Sequence, residues 1–414
     1  MSSLPQPEVI SLGCRLNIAE SETIRRMLDG RDVVVVNSCA VTNAAVKQSR
    51  AAIRRARRDR PGAMLAVTGC AAQIDPASFA AMPEVDRVIG NSDKLLPEAW
   101  AASEALVVRD MARVTEIAPH LAVADDQARA FVEVQNGCDH RCTFCAIPFG
   151  RGQSRSAPAG AVIEAIERVV ASGKNEVVLT GVDLTSYGHD LPGSPTLGSL
   201  VERILTHVPT LSRLRLSSID APEIDDRLFA LLTQEERVMP HLHLSLQAGD
   251  DLILKRMKRR HARADAVRLV ERLKAARPDI AIGADLIAGF PTEDAAMATN
   301  SLKLIDDCDI VHAHIFPYSP RAGTPAARMP QVDPEVRRER AARLREASAA
   351  RKAAWLGGLT GTVQQVLVEA PGDRGHTSSF AEVRLPSAGP ADIGATRHVK
   401  ITGATADHLT GIPA

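Results

Sequence analysis

Short β-branched runs alternate with longer amphipathic stretches over the first hundred residues. Residues 8–12, 32–36, 63–68 and 87–89 read as strands, and 18–28 and 43–58 as helices. Strands that alternate with helices in this way predict a parallel sheet covered by helices. From residue 131 the same rhythm returns six times. Its strands are 131–134, 176–180, 213–217, 241–246, 280–287 and 310–316, with helices such as 159–171 and 293–305 between them. Six successive βα units predict a curled parallel sheet, an incomplete barrel whose chemistry belongs at the C-terminal strand ends. A helix with an Arg-rich face follows at 334–354, and residues 101–128 read as a connection. Beyond residue 356 the pattern shifts to short strands (362–368, 380–385, 398–401) broken by Gly and Pro, which predicts a small antiparallel β-barrel.

The 414 residues call for two or three domains. The boundaries expected are 1–118 for the first α/β domain, 128–355 for the partial barrel and 356–414 for the β-barrel. With 50 basic and 50 acidic residues the chain has no basic excess, so contact with nucleic acid has to come from local patches. The apolar runs are far shorter than a membrane span needs, and residues 1–8 lack the apolar core of a signal peptide. A cytoplasmic protein without a membrane partner is expected.

Seven cysteines, an odd number, argue against a disulfide framework and for metal binding or catalysis. Cys14, Cys39 and Cys70 each follow one of the first three strands, 25 and 31 residues apart. A strand–helix–strand unit takes about 30 residues. The three thiols are therefore expected together at the carboxyl edge of the first sheet, where open α/β sheets bind ligands. Cys138, Cys142 and Cys145 form a C-x3-C-x2-C motif just after the first strand of the second part. Three thiolates so close suit three corners of a [4Fe–4S] cluster and leave the fourth iron open to a cosubstrate. The alternatives are a structural zinc site, with His140 or a distant residue as fourth ligand, and buried inert thiols at 14, 39 and 70. Cys308 reads as a core cysteine, and His241, His243, His312 and His314 as ordinary interior or surface histidines.

Together these segments resemble the radical SAM methylthiotransferases over nearly the whole chain. The motifs that carry the likeness are Gly13-Cys14-Arg15-Leu16-Asn17, Asn37-Ser38-Cys39, Thr68-Gly69-Cys70 and the run from Asn136 to Gly152. Thr180-Gly181-Val182-Asp183, Ser245-Leu246-Gln247-Ala248-Gly249, the segment 285–293 and Tyr318-Ser319-Pro320-Arg321 add to them. The last part resembles a TRAM domain, an RNA-binding β-barrel. The segments 13–17 and 255–261 are similar to the branch acting on N6-threonylcarbamoyladenosine in tRNA. Other branches act on isopentenyladenosine in tRNA or on a ribosomal-protein aspartate. The stretch between Cys14 and Cys39 is short for the family.

The resemblance implies two [4Fe–4S] clusters. One sits on Cys138, Cys142 and Cys145, where S-adenosylmethionine (SAM) binds and is cleaved reductively. The other sits on Cys14, Cys39 and Cys70 and carries the sulfur. It implies hydrogen abstraction from C2 of adenosine 37 in the tRNA anticodon loop, and a flavodoxin- or ferredoxin-type electron donor. No side-chain base deprotonates that carbon, which is why cofactor chemistry is needed. Gly181, Asp183, Ser217 and Gln247 are expected at the SAM pocket, with Phe144 either on the SAM adenine or in the core. The basic residues between Lys47 and Arg60, and a second run at 255–263, are the candidate RNA surfaces, against the alternative of solvated helix faces. A non-enzymatic zinc-containing RNA-binding protein is the contrasting reading of the same cysteines.

Overall fold

The structure is a computed structural model that describes residues 6–117 and 128–414. The expected boundary between the first two domains falls on 118–127, outside the described residues.

The first unit holds β1 (Glu8–Ser11), α1 (Arg15–Met27), β2 (Val33–Ser38), α2 (Asn43–Asp59), β3 (Met64–Gly69), α3 (Cys70–Ile74), α4 (Pro76–Ala80), β4 (Arg87–Ile89), α5 (Pro97–Ala101) and β5 (Leu106–Val107). The five strands pair in parallel in sequential order. β2 is buried at every position, so both faces of the sheet are covered. The pleat sends Val34 and Val36 to a core with Ile53 and Ala56 of α2, and Val33 and Val35 to one with Ile24, Leu28 and Trp100. β5 lies in the stretch expected to be mere connection. It has only two residues, too few for its pattern to register. The short join before β2 is a tight turn through Gly30, at φ +77°, and leaves the β1–β2 register unbroken.

The second unit runs β6 (Arg129–Glu133), β7 (Gln135–Asn136), α6 (Ile147–Arg151), β8 (Arg155–Ser156), α7 (Ala159–Ala171), β9 (Glu176–Thr180), α8 (Leu197–His207), β10 (Arg213–Leu216), α9 (Asp226–Gln234), β11 (His241–Gln247), α10 (Asp251–Met257), α11 (Arg263–Ala276), β12 (Ala281–Ala288), α12 (Ala295–Asp307), β13 (Ile310–Pro317) and α13 (Pro334–Gly358). The six main strands form two parallel three-stranded sheets, β6-β9-β10 and β11-β12-β13. Parallel bridges at Leu214–Val238 and Ile219–Leu244 join them into one curled half-barrel. Leu242, Leu244 and Leu246 belong to the core beneath the helices, together with Cys308. By strand alternation His241, His243 and Ser245 face the lumen.

The third unit is a closed barrel of β14 (Val363–Glu369), β15 (Arg374–Thr377), β16 (Glu382–Arg384), β17 (Thr396–Ala404) and β18 (Leu409–Pro413). It departs from the expected antiparallel pattern in one place, where β16 and β18 pair in parallel. That pairing closes a barrel with an odd number of strands, which strict up-and-down alternation cannot close. α13 is longer than the pattern suggested, and its Leu356 is buried in the β-barrel core.

Candidate active site

Cys138, Cys142 and Cys145 lie in the loop between β7 and α6. β7 pairs antiparallel with β8, which brings the two ends of this loop together. Gly137 makes the closure possible: it sits at φ +73°, and a Cβ there would lie 1.8 Å from the Gln153 carbonyl oxygen. The middle of the loop is pinned by Thr143, which donates from its amide to Met257 O (3.1 Å) and from its hydroxyl to Arg256 O (2.8 Å). Phe144 packs edge-on to Phe290, with centroids 6.4 Å apart, in an apolar cluster with Ile253, Leu254 and Met257. The Ile147 amide donates to Cys145 Sγ at 3.5 Å, and Arg259 donates to Cys142 Sγ at 3.6 Å. Burial pushes the Cys145 thiol up to about 11, with Cys142 and Cys70 adding to the rise. Burial, then Asp183, pushes Cys138 up further. A thiol raised in this way ionises on ligating a metal and loses its proton then.

Cys14 caps the N-terminus of α1, Cys39 follows β2, and Cys70 opens α3 directly after β3. Adjacent parallel strands thus deliver all three to one edge. The approach is close: a Cβ on Gly13, at φ +106°, would lie 2.9 Å from both Cβ and Sγ of Cys39. Burial raises the Cys14 pKa and takes Cys39 to about 11, and the neighbouring thiols raise both. The two thiol groups, on separate units of the chain, meet at α6. A Cβ on Gly150 would touch Cys70 Cβ at 3.2 Å, and Asn91 Nδ2 bridges Cys70 Sγ (3.6 Å) and Gly150 O (2.6 Å).

Sequence reasoning missed the buried charges beneath the thiols. Arg151 donates to Glu20 Oε1 (2.9 Å) and Asn17 Oδ1 (2.7 Å), and Lys94 donates to Glu20 Oε2 (2.6 Å). Burial opposes the charge on Glu20, but Arg151 and Lys94 outweigh it and hold the carboxyl at about 2. Burial likewise opposes the charge on Arg151, yet Cys70, Glu20 and Cys14 raise its pKa well above the ordinary value. Arg151 and Asn17 stand inside motifs already noted. Glu20 and Lys94 carry no signal along the chain.

Gly181, Asp183, Ser217 and Gln247 all stand just past, or at, the C-terminal ends of β9, β10 and β11. A Cβ on Gly181 would crowd Gln135 at 2.9 Å, and Gln135 Oε1 accepts from the Asp183 amide (2.8 Å). Asp183 Oδ2 accepts from Ser186 (2.7 Å) and Cys138 (3.5 Å) and pairs with His140 at 2.9 Å. Burial opposes ionisation of Asp183, yet the His140 and Ser186 hydrogen bonds lower its pKa. Gln247 turns into the left-handed region at φ +73°. The hydroxyls of Thr180 and Ser217 are buried at this edge without a partner. Such orphaned polar atoms, beside three thiols, fit a polar cosubstrate seated on an iron–sulfur cluster. Cys138, His140 and Asp183 also offer ligand atoms within 4.8 Å of one another, the donor set on which the zinc alternative rests.

Comparison with known proteins decides between them. Residues 132–305 match the Radical SAM superfamily, and residues 7–90 match the Uncharacterized protein family UPF0004. A threonylcarbamoyladenosine tRNA methylthiotransferase MtaB from Rickettsia prowazekii is 49% identical over 383 residues, covering 91% of each chain. The chain belongs to the MtaB-type radical SAM methylthiotransferases. A tRNA-2-methylthio-N(6)-dimethylallyladenosine synthase from Erythrobacter litoralis is 35% identical, covering 88% of this chain and 86% of that one. In fold the methylthiotransferase resembles the radical SAM methyltransferase TsrM from Kitasatospora setae, solved with cobalamin and a [4Fe–4S] cluster. The TM-score is 0.51 at 17% identity, covering 72% of this chain and 63% of that one. Enzymes of this family use SAM and [4Fe–4S] clusters.

The two basic segments of the methylthiotransferase fare differently from the expectation. On α2, Arg50 bonds Ser78, Arg57 bonds Glu84 O, and Arg60 pairs with Asp32, while Lys47, Arg55 and Arg58 are exposed and free of hydrogen bonds and ion pairs among the described residues. In the run 255–263 three arginines are paired: the buried Arg259 side chain to Cys142 and Asp220, the exposed Arg260 to Glu223 (2.6 Å), and Arg263 to Asp307 at the surface. The lumen histidines do more than fill space. His243 Nε2 (3.0 Å) and His314 Nδ1 (3.1 Å) share Asp285 Oδ1, while His312 Nε2 is buried without a partner.

Proposed function

We propose that the protein adds a methylthio group to C2 of N6-threonylcarbamoyladenosine at position 37 of the tRNA anticodon loop. The observation that carries this reading is the meeting of the two thiol groups at α6, which offers one space to both sets of ligands. Identity of 49% to the Rickettsia MtaB supports the choice of nucleoside. Cys138, Cys142 and Cys145 would hold one [4Fe–4S] cluster, and Cys14, Cys39 and Cys70 the other. Bound there, the clusters and SAM supply one-electron chemistry able to break an unactivated C–H bond, and a sulfur to install in its place.

The chain's own residues prepare that space. Arg259 and Arg151 place positive charge beside the thiols and stabilise their ionised form. Cys39 and Cys70 are buried and Cys138, Cys142 and Cys145 half-buried, which limits access of water to these sulfurs, while Cys14 is exposed. Gly181, Asp183, Ser217 and Gln247 form the strand edge assigned to SAM, and Phe144, seated on Phe290, supports the loop from below. Electrons come from a flavodoxin- or ferredoxin-type protein, and the reaction belongs in the cytoplasm. Among the described residues no helix is long and apolar enough to cross a membrane.

The likeness to the Erythrobacter synthase favours isopentenyladenosine as the second reading. Mass spectrometry of tRNA nucleosides and ribosomal proteins from a deletion strain separates the readings. Loss of 2-methylthio-N6-threonylcarbamoyladenosine alone is expected. Loss of the isopentenyl derivative, or of a modified ribosomal aspartate, would reassign the substrate.

A further inference from the structure

Arg15 follows Cys14 at the start of α1, and its side chain reaches the barrel lumen. Its guanidinium lies over the Phe380 ring, 5.8 Å from the centroid. The charged groups that act on it are Arg129, Glu176 and Asp285. Both acids are engaged elsewhere. Glu176 bonds Arg213 and Arg215 at 2.8 Å each and pairs with Arg129 at 3.1 Å. Asp285 Oδ1 accepts from His243 and His314. Among the described residues Arg15 makes no hydrogen bond and no ion pair, although it is half-buried. A guanidinium withdrawn from water with five N–H donors uncommitted calls for an anion of planar, forked geometry, and a carboxylate supplies one.

Two carboxylates belong to the proposed reaction: that of SAM and that of the threonyl group. The lumen's depth separates them. Phe380 packs on His241, the first residue of β11, and under the side chain of Arg215, the third of the four residues of β10. Along β11 the edge assigned to SAM, at Gln247, lies six residues on from His241, roughly 20 Å away. We propose that Arg15 receives the threonyl carboxylate of the substrate nucleoside, and so selects threonylcarbamoyladenosine over dimethylallyladenosine, whose substituent is an uncharged hydrocarbon. The proposal rests on the reading of the substrate given above. Arg15 stands one residue from Cys14, so the bound nucleoside lies within a side chain's length of the N-terminal thiols.

The test uses the full chain and three anticodon stem-loop RNAs that differ only at position 37: threonylcarbamoyladenosine, its methyl ester, and adenosine. Binding is read by fluorescence anisotropy. The unaltered protein should prefer the free carboxylate over the ester by about 10- to 100-fold, the worth of a charge-assisted pair. Arg15→Gln should shrink that preference to within about twofold, and Arg15→Lys should restore part of it. Equal binding of acid and ester by the unaltered protein overturns the proposal, whether or not either variant folds. So does an undiminished preference in Arg15→Gln. A tenfold loss of SAM affinity in Arg15→Gln, measured by equilibrium dialysis with the acid preference intact, assigns Arg15 to the SAM carboxylate instead. The nucleoside analysis of the deletion strain tests the underlying substrate reading separately.

Discussion

Arg259 aims a guanidinium nitrogen at Cys142 Sγ from 3.6 Å and also bonds Asp220 and Ser245 O. The sulfur thus sits in a positive field that suits an iron-bound thiolate. Cys142→Ala is expected to lower iron in anaerobically prepared protein from about eight to about four per chain, and to abolish 5′-deoxyadenosine formation. Full deoxyadenosine yield from that variant would refute the ligand assignment. The three thiols of this loop were legible from spacing alone, because eight consecutive residues confine them. Arg259 was not: it stands 117 positions away, and the sequence presents it as one more base in a charged run. Arg151 and Glu20 pair across 131 positions for the same reason.

Among elements, α2 retains a narrower basic face than its composition suggested. Lys47, Arg55 and Arg58 recur at near-helical spacing and remain exposed, whereas Arg57 and Arg60 stitch the helix to its own sheet. Replacing those three with Glu should weaken tRNA binding and reduce the slope of log K against log salt by about 2–3, since each phosphate contact contributes roughly 0.7–0.9. An unchanged slope would take α2 off the RNA surface. Glu176, the first residue of β9, is fully buried. Burial opposes its charge, but Arg215, Arg129 and Arg213 hold its carboxyl at about 2, below the ordinary 4.5. Its contribution is therefore complete above pH 4.5 and fades as pH falls toward 2. Glu176→Gln leaves three arginines without their shared counter-charge and should cost about 3–5 kcal/mol. Thermal melts at pH 7 should show the loss, and the variant should lack the native protein's added decline below pH 4.5.

For the whole molecule, Phe380 is the pin that holds three units together. It projects from the β15–β16 turn at φ +72°, stacks on His376 (4.5 Å) and packs against His241 (5.0 Å). Arg15, Arg129 and Arg215 lie over its ring at 5.0–5.8 Å. Arg215 also donates to Ser378 O and Thr377 O of the same turn. Phe380→Ala should destabilise the protein by about 3–5 kcal/mol and make the join between α13 and the β-barrel sensitive to limited proteolysis. A variant as resistant as the parent would show that the polar contacts alone hold the barrel. The chain's own pattern determined the strand–helix rhythm of both α/β units, the strand edge on which each group of thiols lies, and the small β-barrel at the end. Those features depend on periodicity and on residues close in sequence, where local sterics and burial of one face suffice. Tertiary structure alone decided that the two thiol groups meet at α6, that one barrel pair is parallel, that four arginines crowd the lumen, and which of the basic side chains stay free. Such pairings join positions tens to hundreds of residues apart, and no local pattern encodes which buried charge will find which partner.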